Sequence, residues 1–286
     1  MIGTDYFDLH CDTPYECFVR RTDFNDKSLA VNGFAMSPFE RYKQLFAVWI
    51  RDDAENPYLL YKNILNDFKE KIKTAPDNLT TYFSVEGGAV LEDNPERLYE
   101  LKNDGICVLT LTWNVKNRIA SGAHCTGGLT DFGRYVLRIM NEIGMICDLA
   151  HINRQGFYDA VSIAERPIVT HACCDFLHNH PRNLTDEQLK IIAQKNGLIG
   201  LCLYPVFLGD GDVFENVYRH IFHLLELDLE DSISIGSDFD GADMSDTLSD
   251  ISKIPTLYRY LSKRGIKNDV LDKVFYKNAN NFFVNL

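Results

Sequence analysis

The strongest constraint on the fold of this chain is a regular alternation of short β-branched and aromatic runs with longer amphipathic stretches. Strands that alternate with helices are typical of a parallel sheet, because each helix returns the chain to the edge where the next strand begins. The predicted strands cover residues 6–10, 45–50, 81–86, 106–112, 145–150, 167–171, 198–204 and 233–238. The predicted helices cover residues 58–73, 95–103, 131–143, 154–165, 185–196, 214–227 and 252–263.

Eight strands in a chain of this length predict a closed (β/α)₈ barrel, the TIM barrel of the α/β class. Residues 1–286 would form it as a single domain. An open, doubly wound sheet is the alternative. Its dinucleotide-binding form would carry G-x-G-x-x-G after the first strand, and this motif does not follow residues 6–10.

Charge and cysteine usage exclude several classes of partner and location. Lys and Arg number 29 against 41 Asp and Glu, and the net charge of −12 disfavours binding to nucleic acid or to an anionic membrane. No apolar run approaches the roughly 20 residues of a membrane helix, and the N-terminus lacks the basic segment of a signal peptide. The 8 cysteines show no C-x-x-C spacing, so reduced thiols and a cytoplasmic location are expected.

Polar residues at the C-terminal ends of the predicted strands form the main functional signal. In chain order they are His10, Asp12, Glu86, His151, His171 and Asp238. In a barrel these strand ends surround one mouth, where catalytic groups collect. Imidazole and carboxylate groups are ligands for divalent ions such as zinc, so the sequence predicts a metal site at this mouth.

Five metal ligands are more than one tetrahedral catalytic ion with an open position requires, and they suit two ions that share a carboxylate. Glu86 is the natural bridge, because each of its oxygens can take one ion. His10 and Asp12 would complete the first ion, while Cys11 between them points away. His151 and His171 would complete the second. A hydroxide held between paired ions would be the nucleophile.

Asp238 is predicted to act outside the ligand set. A carboxylate that faces the bridging water can accept its proton and later protonate the leaving amine. A simple hydrogen bond to a ligand is the alternative. Asp240 is a second candidate for the proton transfer, because it would point the same way if the strand continued.

Six ordered motifs resemble those of the membrane (renal) dipeptidase family, the M19-type branch of the amidohydrolase superfamily. They are DLHCDTP at 8–14, SVEGG at 84–88, TLTWN at 110–114, DLAHI at 148–152, THACC with HPRNLTDEQL at 170–189, and IGSDFDG at 235–241. The resemblance covers nearly the full chain and is closest to soluble, bacterial-type members.

The resemblance implies an amidohydrolase-like barrel with two Zn²⁺ ions per subunit, or other divalent ions such as Mn²⁺ or Co²⁺. It implies hydrolysis of small dipeptides, often with a D-residue at the C-terminal position, and a homodimer is a further expectation. By motif, the metal ligands are His10, Asp12, Glu86, His151 and His171, the catalytic residue is Asp238, and Arg182 binds the free carboxylate of the substrate.

The chain departs from the animal members of the family at one position. They carry a histidine directly after TLT, where this chain has Trp113, which we expect to form a wall of the pocket. Asn114 or His124 would then supply the polar contact to substrate. Tyr204, at the end of the seventh predicted strand, would either line the pocket or pack in the barrel.

Two other functions are compatible with the same residues. An N-acyl-amino-acid deacylase, or another amide or lactone hydrolase, could use the same pair of metal ions, because related barrels change substrate through their loops. A non-catalytic metal-binding protein is the more remote alternative. The loops at about 22–44, 114–129 and 205–215 would decide specificity, and their residues give no direct indication of the substrate.

Overall fold

The computed structural model describes residues 5–284, and within this range eight parallel strands close into a barrel in sequential order. The strands are β1 (Asp5–Cys11), β2 (Arg41–Trp49), β3 (Leu79–Glu86), β4 (Ile106–Thr110), β5 (Ile146–Asp148), β6 (Pro167–Ala172), β7 (Ile199–Leu201) and β8 (Ile233–Ile235). Each strand pairs with the next, and the pairing of Asp8 with Ile235 closes the ring. The predicted (β/α)₈ barrel is confirmed.

Helices connect the strands and cover the outside of the barrel. They are α1 (Thr13–Arg20), α2 (Pro57–Lys71), α3 (Arg97–Asn103), α4 (Asp131–Glu142), α5 (Arg154–Val161), α6 (Asp186–Gln194), α7 (Pro205–Leu208), α8 (Val213–Glu226), α9 (Ile254–Lys263), α10 (Asn268–Asp272) and α11 (Asn278–Phe283). Thr185 caps α6 through a capping box with Gln188. Among residues 5–284, no helix has both the length and the apolar character needed to cross a bilayer.

The interior of the barrel is filled by alternate residues of several strands. Phe7, Leu45, Val108 and Ile168 belong to one buried cluster, although their strands are not all neighbours, so they meet inside the ring. Phe283 of α11 joins this cluster and closes one end. Side chains two residues apart on a strand share a face. The buried Thr110, Asp148 and Thr170 therefore lie one layer nearer the C-terminal ends of the strands than this apolar cluster.

The structure corrects several predicted strand ends. The fifth, seventh and eighth strands end at Asp148, Leu201 and Ile235, whereas the sequence predicts ends at 150, 204 and 238. His151 and Asp238 have positive φ angles of 65° and 68°, a conformation that extended strands do not contain. Both residues therefore lie on turns that follow the strands. Strained backbone of this kind is common at functional sites.

Candidate metal centre

The residues predicted at the strand ends come together at the C-terminal mouth of the barrel, and all six side chains are buried. They are His10, Asp12, Glu86, His151, His171 and Asp238. His10 and His171 are each only 1% exposed. The cluster therefore lies below the barrel rim, shielded from bulk water.

Glu86 lies at the middle of the cluster and faces histidines on both sides. Its Oε1 is 2.7 Å from His151 Nε2 and 3.5 Å from His171 Nε2. Its Oε2 is 3.7 Å from His10 Nε2. This is the arrangement that a carboxylate bridging two ions would need.

A second group of polar atoms lies around His10. Its Nε2 is 3.3 Å from Asp12 Oδ2 and 3.8 Å from Asp238 Oδ1. The backbone of Gly241 packs directly against these two carboxylates: a Cβ at this position would lie 2.0 Å from Asp12 Oδ2 and 2.9 Å from Asp238 Oδ1. A side chain at position 241 would displace both acids.

Two sets of donor atoms satisfy the distance requirements of a metal site within the described residues. One is His10, Glu86 and His171, and the other is His10, Asp12 and Asp238. The sequence predicts a different grouping, with His151 and His171 on one ion. The Nε2 atoms of His151 and His171 lie 2.9 Å apart, but the first set links His171 to His10 and does not contain His151. The assignment of ligands to each ion stays a prediction. The donors therefore form one continuous cluster that Glu86 connects.

Burial and charge set the protonation of the cluster. Burial lowers the pKa of His151 and of His171 well below the ordinary value, so both imidazoles are neutral, which is the form that binds metal. Burial also acts to lower the pKa of His10, but the carboxylates of Glu86 and Asp12 raise it to about 10. Burial raises the pKa of Glu86 and of Asp238. The cluster is thus rich in acidic groups that positive charge would stabilise.

Unpartnered buried atoms show that the cluster fits a cation. Among residues 5–284, His10 Nδ1, His10 Nε2, Asp12 Oδ1 and Glu86 Oε1 have no hydrogen-bond partner. Buried polar atoms without partners are costly. Most of these atoms can donate an electron pair, and nitrogen and carboxylate oxygen are the donors that zinc prefers.

A cavity of about 710 Å³ opens over the cluster, and Trp113, Asn114 and Tyr204 line it. The Trp113 ring packs edge-on against Trp49 at 5.1 Å, and Trp49 in turn packs against Tyr15 at 4.6 Å. These three rings form an aromatic wall. The sequence predicts Tyr204 at the end of a strand, but in the structure it immediately precedes α7.

Asn114 has a second contact that the sequence did not predict. Its Oδ1 is 2.9 Å from His151 Nδ1, so the imidazole donates to it and directs Nε2 toward Glu86. His124, the alternative polar contact, is exposed. Contact of either side chain with substrate stays a prediction.

Arg182 is buried beside the cluster and is not one of the residues that line the cavity. Its Nη2 donates to the carbonyl oxygen of His171 at 3.4 Å, and its guanidinium lies 5.2 Å from the ring centroid of Phe207, a cavity residue. Its Nε has no partner among the described residues. Contact of Arg182 with a substrate carboxylate stays a prediction.

The carboxylate of Asp240 does not face His10 in the way that its sequence position suggests. It accepts hydrogen bonds from Thr13 Oγ1 at 2.6 Å and from the backbone amides of Ala30 and Val31 at 2.7 and 3.2 Å. These contacts hold the start of α1 and the loop between α1 and β2 against the loop after β8. Asp238 is therefore the better placed of the two candidates for proton transfer.

Sequence reasoning missed several residues of the site. Cys202 Sγ donates to Asp238 Oδ2 at 3.7 Å, and Trp49 and Tyr15 line the cavity. Asp148 and Thr170, which precede two of the histidines, also belong to the site. Trp49, Asp148, Thr170 and Cys202 lie at or near the C-terminal ends of strands, and this position was the signal that could have found them. Tyr15 lies on α1, where the sequence pattern gives no such signal.

Two known groups of proteins match this sequence. The sequence model of the family described as "Membrane dipeptidase (Peptidase family M19)" matches residues 55–283. An uncharacterised protein from the pqqA 5′ region of Klebsiella pneumoniae is 32% identical over 209 residues, which cover 68% of this chain and 77% of that protein.

Two solved structures share the fold at low sequence identity. The metallopeptidase dipeptidase AC of family M19 has a TM-score of 0.91 at 21% identity, and the match covers 98% of each chain. A metallopeptidase from Rhodobacter sphaeroides, liganded with a phosphinate mimic of the dipeptide L-Ala-D-Ala, has a TM-score of 0.89 at 20% identity. That match covers 97% of this chain and 98% of the other.

Proposed function

This chain belongs to the membrane dipeptidase family, peptidase family M19, whose members are metal-dependent hydrolases, and we propose that it cleaves the peptide bond of dipeptides at two divalent metal ions. One observation carries the proposal. The two oxygens of the buried Glu86 face different histidines, Oε1 toward His151 and Oε2 toward His10. A single ion would not need a carboxylate shared in this way.

The residues that would hold the ions are those that the sequence predicts. His10 and Asp12 would bind one ion, His151 and His171 the other, and Glu86 both. We propose zinc, with Mn²⁺ or Co²⁺ as alternatives, because two imidazoles are neutral and the carboxylates supply the compensating charge. Two such ions would lower the pKa of a water between them and polarise the carbonyl of the substrate.

Asp238 is the proposed acid and base. Its carboxyl is buried beside His10, with Oδ1 toward that histidine and Oδ2 accepting from Cys202. Burial raises its pKa, so the group can take a proton from the attacking water and return it to the leaving amine. Cys202 would hold the carboxylate in this orientation.

Arg182 is proposed to bind the free carboxylate of the substrate, because a guanidinium pairs with a carboxylate through two hydrogen bonds. Its Nε is buried without a partner among the described residues. In Arg182→Ala, we expect the loss to fall mainly on KM for dipeptides with a free carboxylate. An equal loss on C-terminally amidated substrates would contradict this assignment.

Tolerance of a D-residue at the C-terminal position is also a proposal. It is supported by the L-Ala-D-Ala mimic bound to the metallopeptidase from Rhodobacter sphaeroides, which shares the fold. The aromatic wall of Tyr15, Trp49 and Trp113 would then contact the side chains of the substrate.

A dipeptide panel with metal analysis of the same preparation tests the proposed function. We expect two equivalents of metal, hydrolysis of L,L- and L,D-dipeptides, and loss of activity on chelation that added metal restores. Preferential hydrolysis of N-acyl amino acids or lactones would instead support the second hydrolase function. Bound metal without hydrolysis of any of these substrates would support a non-catalytic protein.

A cytoplasmic location and a homodimer complete the proposal. All eight cysteines are free thiols, which suits a reducing compartment. The dimer stays a prediction, and analytical ultracentrifugation of the purified protein would check it.

A further inference from the structure

Asp148 is a fully buried carboxylate beneath the cluster of proposed ligands, and it is itself none of them. Its Oδ1 accepts from the amides of Ala150 and Thr170 at 3.0 and 2.9 Å. Its Oδ2 accepts from Thr110 Oγ1 at 2.6 Å and from Thr170 Oγ1 at 2.7 Å. One side chain thus connects β4, β5 and β6 inside the barrel.

The hydrogen bonds of Thr170 fix the proton of a neighbouring histidine. Thr170 Oγ1 also lies 2.9 Å from His171 Nδ1. A hydroxyl has one proton, and Thr170 gives it to Asp148, so it can only accept from His171. Nδ1 must then carry the imidazole proton, and Nε2 keeps a free electron pair directed toward Glu86.

The other carboxylate oxygen of Asp148, Oδ1, supports the backbone next to His151. The amide of Ala150, which Oδ1 binds, directly precedes His151. His151 has a φ of 65°, and a turn of that kind needs support from its surroundings. Asp148 therefore holds the backbone from which His151 reaches Glu86.

Close backbone packing leaves Thr170 no freedom to shift. A Cβ added at Gly200 or at Gly236 would lie 1.8 or 1.7 Å from the carbonyl oxygen of Thr170. Gly200 of β7 and Gly236 after β8 therefore pack against this carbonyl at positions where a larger residue would not fit. The hydroxyl of Thr170 is presented to His171 from a fixed position.

We propose that Asp148 and Thr170 are positioning residues that set the tautomer of His171 and the backbone of His151 before a metal ion binds. The inference deepens the proposed function and rests on it, because it takes His151 and His171 to be metal ligands. It predicts that metal affinity depends on a hydroxyl at position 170, although this hydroxyl touches neither metal nor substrate.

Matched threonine variants test the proposal in the purified holoenzyme. Thr170→Val and Thr110→Val each remove one hydroxyl hydrogen bond to Asp148 Oδ2, but only Thr170→Val also removes the contact with His171 Nδ1. Thr170→Ser keeps the hydroxyl. Competition with a chelator gives the zinc dissociation constant of each variant, and thermal unfolding gives the loss of stability.

We expect Thr170→Val to weaken zinc binding about 10- to 100-fold, the usual effect of removing a partner of a metal-bound histidine. Thr170→Ser and Thr110→Val should change it by no more than about threefold, while both valine variants lose similar thermal stability. Equal weakening of zinc binding in the two valine variants would overturn the proposal and make the network purely structural. Wild-type protein that binds none of Zn²⁺, Mn²⁺ and Co²⁺ would instead contradict the proposed function itself.

Discussion

The two halves of the proposed metal centre differ in what stands behind their ligands. In the half formed by His151 and His171, the Nδ1 atom of each ring has a partner, Asn114 Oδ1 or Thr170 Oγ1, at 2.9 Å. In the half formed by His10 and Asp12, the described residues offer no partner to His10 Nδ1 or to Asp12 Oδ1.

This difference separates two ways of building a metal site. The His151/His171 half is fixed by hydrogen bonds, which determine where the electron pairs point before an ion arrives. The His10/Asp12 half is held together by charge: burial acts against protonation of His10, yet Glu86 and Asp12 raise the pKa of that histidine to about 10. Its donor atoms lie among carboxylates that a bound cation would neutralise. We therefore expect the two ions to bind with different affinities.

The substitution Glu86→Gln removes what the halves share and has the largest expected effect. An amide cannot bridge two ions as a carboxylate does. Both ion positions would lose the negative charge of Glu86, and one of them would also lose a ligand oxygen. We expect kcat/KM for a dipeptide to fall by at least about 10⁴-fold, since several kcal/mol of transition-state stabilisation depend on the paired ions. Steady-state kinetics and metal analysis measure the two losses.

Glu70→Gln is the control for Glu86→Gln, because Glu70 is an exposed residue of α2 that pairs with Lys73 on the surface. It should leave activity and metal content unchanged. If Glu86→Gln kept both ions at wild-type affinity, the two halves would be independent sites and the comparison would fail.

Asp238→Asn tests whether proton transfer depends on the His10/Asp12 half alone. Asp238 faces His10 and not the other two histidines, so the variant should keep the His151/His171 ion while losing the acid and base. We expect kcat to fall about 10³-fold, within the range of general acid–base catalysis, with little change in metal content. Loss of the His10/Asp12 ion together with kcat would instead make Asp238 a ligand.

The sequence was sufficient to predict the barrel and the residues of the cluster, because strand periodicity and polar strand ends are local signals. It could not predict the difference between the halves. That difference depends on which hydroxyl or amide lies near each ring across strands, as Thr170 does for His171 and Asn114 for His151. Positive φ at His151 and Asp238 also escaped prediction, because tertiary contacts and not local propensity stabilise it.

The same limit applies to Asp240. Alternation along a strand predicts that it points with Asp238, but the chain leaves β8 at Ile235 and turns, so the alternation no longer holds. Three donors from the loops near β1 then bind its carboxylate. Long-range loop contacts of this kind have no signature in a single sequence.

Gly241→Ala has the smallest expected effect and acts on one half alone. The new Cβ would lie 2.0 Å from Asp12 Oδ2, so the carboxylate must shift from its position beside His10. We expect the affinity for the ion at His10 and Asp12 to fall about tenfold, with the other ion unchanged, as for a disturbed supporting contact. Stepwise removal by a chelator should then show two phases, of which only the phase for the His10/Asp12 ion shifts.

Gly128→Ala is the matched control for this substitution, because its Cβ would meet Asp159 Oδ2 at 2.1 Å, a similar clash with a carboxylate outside the metal centre. It should lower thermal stability without shifting either phase of metal removal. If Gly241→Ala shifted both phases equally, the halves would bind their ions as one unit. The hydrogen bonds behind His151 and His171 would then not distinguish the two positions.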